Sequence, residues 1–143
     1  MTREEMDQVV EQHFAMEARA DIDGIMATFT DDIEHDVVGV PGGPLRGKAA
    51  ARKFYAALTR ELPATDAIPR HRYYGDSVMV DEVLWEARAD GHPFGIDGRG
   101  RPVRVRLLHV FAFRDGLIAR ENLWMDWAAF AAQLGALPVA ALA

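Results

Sequence analysis

The chain has 143 residues, of which 50% are hydrophobic and 27% charged, so it is long enough for one globular domain with a core and a pocket. Its formal net charge of −6 argues against nucleic acid and anionic membranes as partners, because both bind basic surfaces. The absence of cysteine excludes disulfides, thiolate metal sites and a cysteine nucleophile.

The N-terminal segment is acidic and amphipathic, without the basic start and apolar stretch of a secretory leader. No stretch approaches the ~20 apolar residues that span a membrane. We therefore expect a cytoplasmic protein with a single domain over residues 1–143.

Thr2 and Glu5 have the spacing of a capping box, which predicts a helix start. The residues that follow trace one stripe at helical spacing, composed of Met6, Val9, Val10, His13 and Phe14. His13 is therefore predicted on the buried face of the first helix.

A short second helix is predicted after Asp21 and Asp23, whose carboxylates suit the N-cap. Its apolar positions are Ile25, Met26 and Phe29. Asp31 and Asp32 are interpreted as the cap and turn residues that end it. Residues 33–38 alternate and are rich in β-branched side chains, which predicts the first strand.

A Gly/Pro turn over residues 41–44 ends that strand, and a third helix is predicted from Gly47 and Lys48 until Pro63 stops it. Its inward positions are Ala51, Phe54, Tyr55, Leu58 and Leu62. Tyr55 is expected to bring its hydroxyl into the core.

Two strands are predicted over residues 68–74 and 77–89, and Trp85 on the second is core or pocket wall. After a Gly-rich loop, strict alternation in residues 103–113 places Arg104 and Arg106 on one face. The opposite face carries Val103, Val105, Leu107, His109, Phe111 and Phe113. His109 is thus the one polar group on an apolar face.

Residues 114–116 predict a tight turn before a last strand over residues 117–126. Alternation places Leu117, Ala119, Glu121, Leu123 and Met125 on one side. Glu121 either pairs with Arg120 or Arg106 at the surface or joins His109 on the neighbouring strand. A short helix is predicted over residues 127–134, and the apolar residues 138–143 are interpreted as a cover for a pocket mouth or a dimer surface.

The order of these elements and two sequence motifs resemble the nuclear transport factor 2-like superfamily, which includes the SnoaL-like polyketide cyclases and the ketosteroid isomerases. DIDGIMATFTDDIE resembles the superfamily's pattern of an acidic residue, Gly, a hydrophobic residue, Phe, a small residue and Asp-Asp. RGKAAARKFYAAL resembles its helix with Gly, small residues, Ala, a basic residue and Phe-Tyr. The resemblance covers nearly the whole chain and implies an α+β, cystatin-like fold. In that fold three N-terminal helices lie on the concave face of a strongly bent, mostly antiparallel sheet, and the resulting cone has an apolar pocket at its open end.

Alignment with the isomerase branch places His13 where that branch has a tyrosine that donates to the developing oxyanion, and Tyr55 where it has the tyrosine supporting this donor. His109 falls where the branch has a protonated aspartic acid as the second donor. An imidazole N–H can also donate, so the resemblance implies that oxyanion stabilisation is retained.

The general base is predicted to be His35 or Asp36, because alternation turns only one of these neighbours into the pocket. An ungapped alignment selects His35, whereas one deletion selects Asp36. The adjacent pair also resembles the SnoaL-like branch, which often has His and Asp side by side here. Burial in a dry cone moves the pKa of either group toward the working pH.

These features predict a cofactor-independent acid/base enzyme, an isomerase, aldol-type cyclase or dehydratase (a lyase), that acts on a small, largely apolar carbonyl compound. The candidate catalytic residues are Asp36, His35, His13 and His109. The candidate substrate-binding residues are Tyr55, Phe54, Trp85, Phe111, Glu121, Leu123 and Met125. We expect no metal site, because His71 and His92 lack partners at ligand spacing, and no cofactor, because no cofactor motif is present.

Two alternatives stay open at this point. A catalytically silent cone would use its histidines structurally, and a pocket filled by aromatic side chains would favour it. Epoxide opening by water would need a water held by a carboxylate and a donor such as Asn122. For any of these functions we expect a homodimer through the outer sheet face, where Trp124 and Val110 lie.

Overall fold

The computed structural model describes residues 1–136 and contains four α-helices, one 3₁₀ turn and six strands. The helices are α1 (Arg3–Ala18), α2 (Ile22–Ala27), α3 (Lys48–Glu61) and α4 (Trp127–Gln133), and the 3₁₀ turn covers Pro93–Gly95. The strands are β1 (Phe29–Val37), β2 (Leu45–Arg46), β3 (Ala64–Tyr74), β4 (Val78–Ala89), β5 (Arg101–Arg114) and β6 (Leu117–Met125).

The six strands form one curved sheet in the order β2-β1-β6-β5-β4-β3. β1 and β6 are parallel, and every other neighbouring pair in the described sheet is antiparallel. The predicted α+β cone with a bent, mostly antiparallel sheet and three N-terminal helices is confirmed, and α4 adds a fourth helix.

Helix starts follow the predicted chemistry. Thr2 and Glu5 form both bonds of the capping box at the start of α1, and the Asp21 carboxylate accepts from the Gly24 amide at the start of α2. α3 ends at Glu61, two residues before Pro63, because proline lacks the backbone N–H that the helix would need to continue. These caps fix where the helices enter the cone.

The prediction for Asp31 and Asp32 was wrong. β1 begins at Phe29, directly after the Thr28 C-cap, so both aspartates lie inside the strand. The pairing of β1 with β6 is irregular between Phe29 and Glu34, which leaves the two aspartates exposed side by side. They form surface ion pairs, Asp31 with Lys48 and Asp32 with Arg114.

Three further features of the sheet differ from expectation: a strand start, an additional strand and a bulge. β3 begins at Ala64, four residues before the predicted start, and the short β2 was not predicted. In β6, a bulge opposite Ala112 and Phe113 pairs Ala112 with Arg120 and Phe113 with Ile118, so Ala119 is the extra residue. Ile118 is therefore buried in place of Leu117 and Ala119, and Glu121 is also buried.

The core lies between the helices and the concave face of the sheet in two clusters. The first joins α1, α2 and α3 through Met6, Ile25 and Tyr55, and the second surrounds Trp85 and Phe130 at the α4 end. Between them the sheet and α3 leave space for a cavity. Among the described helices none has the length and apolar character to cross a bilayer.

The predicted helical tail is confirmed as α4, which the Asp126 side chain caps. Trp127 donates from Nε1 to the carbonyl of Val38 at 2.9 Å, which fastens α4 to the end of β1. The predicted role of residues 138–143 as a cover lies outside the described residues.

Candidate functional site

A cavity of about 200 Å³ lies inside the cone, with walls from α1, α3 and the concave face of the sheet. Most of its lining is apolar. Of the candidate residues, those that line it are His35, Phe54, Tyr55, Trp85, His109, Glu121, Leu123 and Met125. The aromatic side chains therefore form a wall around an open space and do not fill it.

The choice between His35 and Asp36 is decided by the register of β1. His35 is 2% exposed and lies on the cavity wall, paired across the sheet with Leu45 and Glu121. Asp36 points to the opposite face, toward the turn at Gly43, and lies outside the cavity. The prediction that Asp36 faces the pocket as its base is therefore wrong, and the physical reason is strict alternation along β1.

The Tyr55 hydroxyl is the hub of a buried polar cluster. It lies 2.9 Å from Glu121 Oε2, 3.3 Å from His35 Nε2 and 3.3 Å from His13 Nε2. The phenol oxygen has one hydrogen to donate and two lone pairs that accept. By rotating its hydroxyl, Tyr55 can therefore donate to one of these groups and accept from another, and so connects α1, β1 and β6.

Thr28 fixes the tautomer of His13. The Thr28 hydroxyl donates its one hydrogen to the carbonyl of Ile25 at 2.7 Å. Its oxygen must then accept from His13 Nδ1, which lies 3.1 Å away. A neutral His13 therefore carries its proton on Nδ1 and presents the lone pair of Nε2 to Tyr55.

Glu121 is held as a neutral acid at pH 7. Burial raises the pKa of its carboxyl to about 8, and the nearby charge of Glu17 acts in the same direction. When Glu121 is protonated, its O–H donates to the Tyr55 oxygen and Tyr55 donates to His13 Nε2. When Glu121 is ionised, the Tyr55 hydroxyl turns and donates to the carboxylate. Both protonation states of Glu121 are thus satisfied by rotating one hydroxyl.

Glu17 is the second carboxyl of the cluster, four residues after His13 on α1 and on the cavity wall. Burial raises its pKa to about 7. The histidines shift the other way, since burial lowers the pKa of His13 and His109 to about 3 and that of His35 to about 4. At neutral pH the cavity therefore holds neutral imidazoles, which accept protons.

His109 lies on the wall contributed by β5, between aromatic rings. It stacks on Phe111 with ring centroids 5.3 Å apart, and Phe14 contacts it from α1 at 5.3 Å. Its Nδ1 lies 3.9 Å from Oδ2 of Asp81, its partner in the register of β4. The Asp81 carboxylate also accepts from Nε of Arg72 at 2.8 Å.

Three further candidate positions differ from expectation. His13 is fully buried behind Tyr55 and does not reach the cavity wall. Phe111 is also fully buried, behind His109, so it supports the site without lining it. Asn122 is buried but does not line the cavity, and its side-chain oxygen accepts from Arg120 at 3.0 Å, so it is not placed to hold a water there.

Sequence reasoning missed Glu17, Thr28, Arg72 and Asp81. Two of them carried a usable signal. Glu17 follows His13 at the i+4 position of one helix face, and Asp81 alternates with the buried Met79, Val83 and Trp85. Of the two alternatives for Glu121, the structure excludes the surface pair with Arg120 or Arg106, and the carboxyl lies on the inner face, where it bonds Tyr55 and not His109. Among residues 1–136 no group of three or more His, Cys, Asp or Glu side chains is arranged to hold a metal ion.

The model of the SnoaL-like domain family matches residues 10–121 of the chain. In structure the chain is similar to TsrD from Streptomyces laurentii, with a TM-score of 0.82 and 22% identity over 96% of this chain and 99% of that one. For a candidate SnoaL-like polyketide cyclase from Jannaschia sp. CCS1, the TM-score is 0.81 and the sequence identity is 19%, with 94% of each chain covered. For an LEH-like epoxide hydrolase from M. tuberculosis, the TM-score is 0.72 and the sequence identity is 18%, with 91% of this chain and 89% of that chain covered. No curated protein matches the sequence.

Proposed function

Because the chain belongs to the SnoaL-like domain family of the nuclear transport factor 2-like superfamily, we propose that its cavity catalyses cofactor-independent proton transfer on a small, largely apolar carbonyl compound. The observation that carries this proposal is the buried cluster of Glu121, Tyr55 and His35 on the wall of an otherwise apolar cavity. Burying such groups costs stability, and a merely ligand-binding cone gains nothing from that cost.

Glu121 is the proposed acid. The substrate carbonyl oxygen lies against its carboxyl, which is protonated at neutral pH. With the substrate bound, the carboxyl directs its proton to the carbonyl oxygen, and the Tyr55 hydroxyl turns to donate to Glu121 Oε2 over the 2.9 Å contact. As negative charge develops on the carbonyl oxygen, the carboxyl proton transfers to it. The cluster then carries the charge without movement of a side chain.

The proposed base is a neutral imidazole on the wall, and His35 and His109 are the two that line the cavity. The base takes a proton from the carbon next to the carbonyl, the C–H electron pair forms the C=C bond, and the carbonyl oxygen becomes an enol hydroxyl. In each outcome the enol hydroxyl returns its proton to the Glu121 carboxylate and the carbonyl re-forms. Transfer of the imidazolium proton to another carbon gives isomerisation. Attack of the enol carbon on a second carbonyl, whose oxygen takes the imidazolium proton, gives cyclisation, and loss of a β-hydroxyl as water, with that proton, gives dehydration.

Hydrogen–deuterium exchange tests this proposal without the natural substrate. Cyclohexanone and 2-cyclohexenone are small, mostly apolar carbonyl probes, and NMR in D₂O measures the exchange of their α-hydrogens. We expect the protein to accelerate exchange, with a rate that falls as the pH rises through about 8 and Glu121 ionises.

Glu121→Gln keeps the shape of the acid but removes the transferable proton, so the exchange rate should fall by ~10²-fold. Glu86→Gln, on the outer face of β4 where Glu86 pairs with Arg104, is the matched control and should leave the rate unchanged. Tight binding of both ketones without exchange would support a silent binding cone instead.

We also propose that the protein is a homodimer through the outer face of the sheet. Leu108 and Trp124 are neighbours across β5 and β6 and are 39% and 42% exposed, an unusual position for large apolar side chains. Trp124→Glu should convert the dimer to a monomer in light scattering, whereas Ala128→Glu on α4 should not. A wild-type monomer at micromolar concentration would contradict the proposal.

A further inference from the structure

We propose that Asp81 is a positioning residue that makes His109, and not His35, the base of the proposed proton transfer. The inference rests on the proposed function and adds one residue that the family resemblance does not assign. Its starting point is a pair of buried atoms. Among residues 1–136, Asp81 Oδ2 and His109 Nδ1 are both buried without a hydrogen-bond partner, and they face each other at 3.9 Å.

The approach of these two atoms is favourable in only one tautomer of His109. Asp81 is 1% exposed, and Arg72 donates to its other oxygen, Oδ1, at 2.8 Å, which favours the carboxylate. A carboxylate oxygen accepts hydrogen bonds and donates none. His109 therefore carries its proton on Nδ1, toward Asp81, and the lone pair of Nε2 is left for the cavity that the ring lines.

A buried imidazole is a weak base because the imidazolium that forms is poorly solvated. Asp81 offsets part of this penalty for His109 when the proton is transferred, since its carboxylate lies 3.9 Å from Nδ1 and orients the ring, although burial still lowers the pKa of His109 to about 3. His35 has no such partner. Its Nε2 lies 3.3 Å from the Tyr55 hydroxyl, and its Nδ1 is buried with no hydrogen-bond partner in the described part of the chain.

Arg72 holds this carboxylate in place from outside the cavity. Its guanidinium also donates to Asp7 of α1 at 2.7 Å and lies 3.3 Å from Glu11. The other titratable groups around His109 are His13 and Glu17 from α1, His35 from β1 and Glu121 from β6. Of the charged groups described, Asp81 is the one that contacts the Nδ1 side of the ring.

The test compares Asp81→Asn with Asp7→Asn. Both variants change one carboxylate that accepts from Arg72, but only the first faces His109. Side-chain ¹⁵N NMR of the wild-type protein should show His109 protonated on Nδ1. In Asp81→Asn the amide N–H₂ faces the ring, so His109 should move its proton to Nε2, and cyclohexanone exchange should fall by at least ~10²-fold. In Asp7→Asn the His109 tautomer and the rate of cyclohexanone exchange should both stay as in the wild type.

Wild-type His109 protonated on Nε2 would overturn the proposal, and so would unchanged exchange in Asp81→Asn. The wild-type spectrum decides the tautomer even if Asp81→Asn fails to fold. If the wild-type protein exchanges neither ketone, the proposed function fails and the base assignment fails with it, whereas the Nδ1 tautomer would still be observed. The two failures are therefore distinguishable.

Discussion

Arg72→Met should lower the free energy of unfolding at pH 7 by about 3 kcal/mol, because it leaves the buried Asp81 carboxylate without its cation. The loss has two parts. Arg72 is only 14% exposed and joins α1 to the sheet through Asp7, so those contacts also disappear. In addition, Asp7, Glu11 and Asp81 would repel one another once the shared cation is gone.

The sign of the pH effect follows from Asp81. Burial already raises the pKa of its carboxyl while Arg72 opposes that rise, so removing Arg72 raises the pKa further. A carboxyl whose pKa is higher in the folded state stabilises the fold at low pH and loses that contribution as the pH rises. The deficit of Arg72→Met should therefore be largest at neutral pH and shrink toward acid.

Chemical denaturation at pH 7 and pH 4.5 measures this difference. Arg70→Met, at an exposed position of the same strand, is the control and should change the stability by no more than about 0.5 kcal/mol. The double variant with Asp81→Asn should recover part of the loss, since no unpaired charge remains. A loss that is equal at both pH values would refute the explanation by Asp81.

The fold was predictable from the sequence because its strongest signals are local. Alternation in β5 placed His109 inward, and the capping box fixed the start of α1. The failures arose where pairing between distant strands overrides a local pattern. Asp31 and Asp32 have the composition of a cap, yet pairing with β6 extends β1 through them.

The candidate site was predictable only in part for the same reason. Residues that line a cavity obey alternation, so the inward position in β1 could be narrowed to His35 or Asp36, whereas the side of the sheet on which Glu121 lies stayed open. The groups behind them depend on packing between elements far apart in sequence. Tyr55 connects His13 with Glu121, and Asp81 lies opposite His109 on the neighbouring strand. The distance along the sequence between the members of each pair does not indicate that they meet.

The stability of the wild-type protein should reach its maximum near pH 6.5 and fall by about 1 kcal/mol between there and pH 8, because the loss from two carboxyls exceeds the gain from three histidines. The histidines of the cavity have folded pKa values of about 3 to 4 against 6.5, so they stabilise the fold above pH 6.5 and lose that contribution as the pH falls. Glu17 and Glu121 have folded pKa values of about 7 and 8 against 4.5, so their contribution is lost as the pH rises.

Between pH 7 and 8 the two carboxyls dominate the pH dependence, because the histidines are neutral in the folded state and mostly neutral in the unfolded chain, where their pKa is 6.5. Each carboxyl that stays protonated only in the folded state makes stability fall by about 1.4 kcal/mol per pH unit. Glu121→Gln should therefore remove most of the decrease in the free energy of unfolding between pH 7 and 8. Glu17→Gln should remove the contribution of Glu17, which is largest below pH 7. Urea denaturation across this range measures both slopes, with Glu86→Gln as a variant that should retain the wild-type curve. A flat wild-type curve from pH 6.5 to 8 would mean that Glu121 is ionised in the resting protein, and Tyr55 would then donate to it permanently.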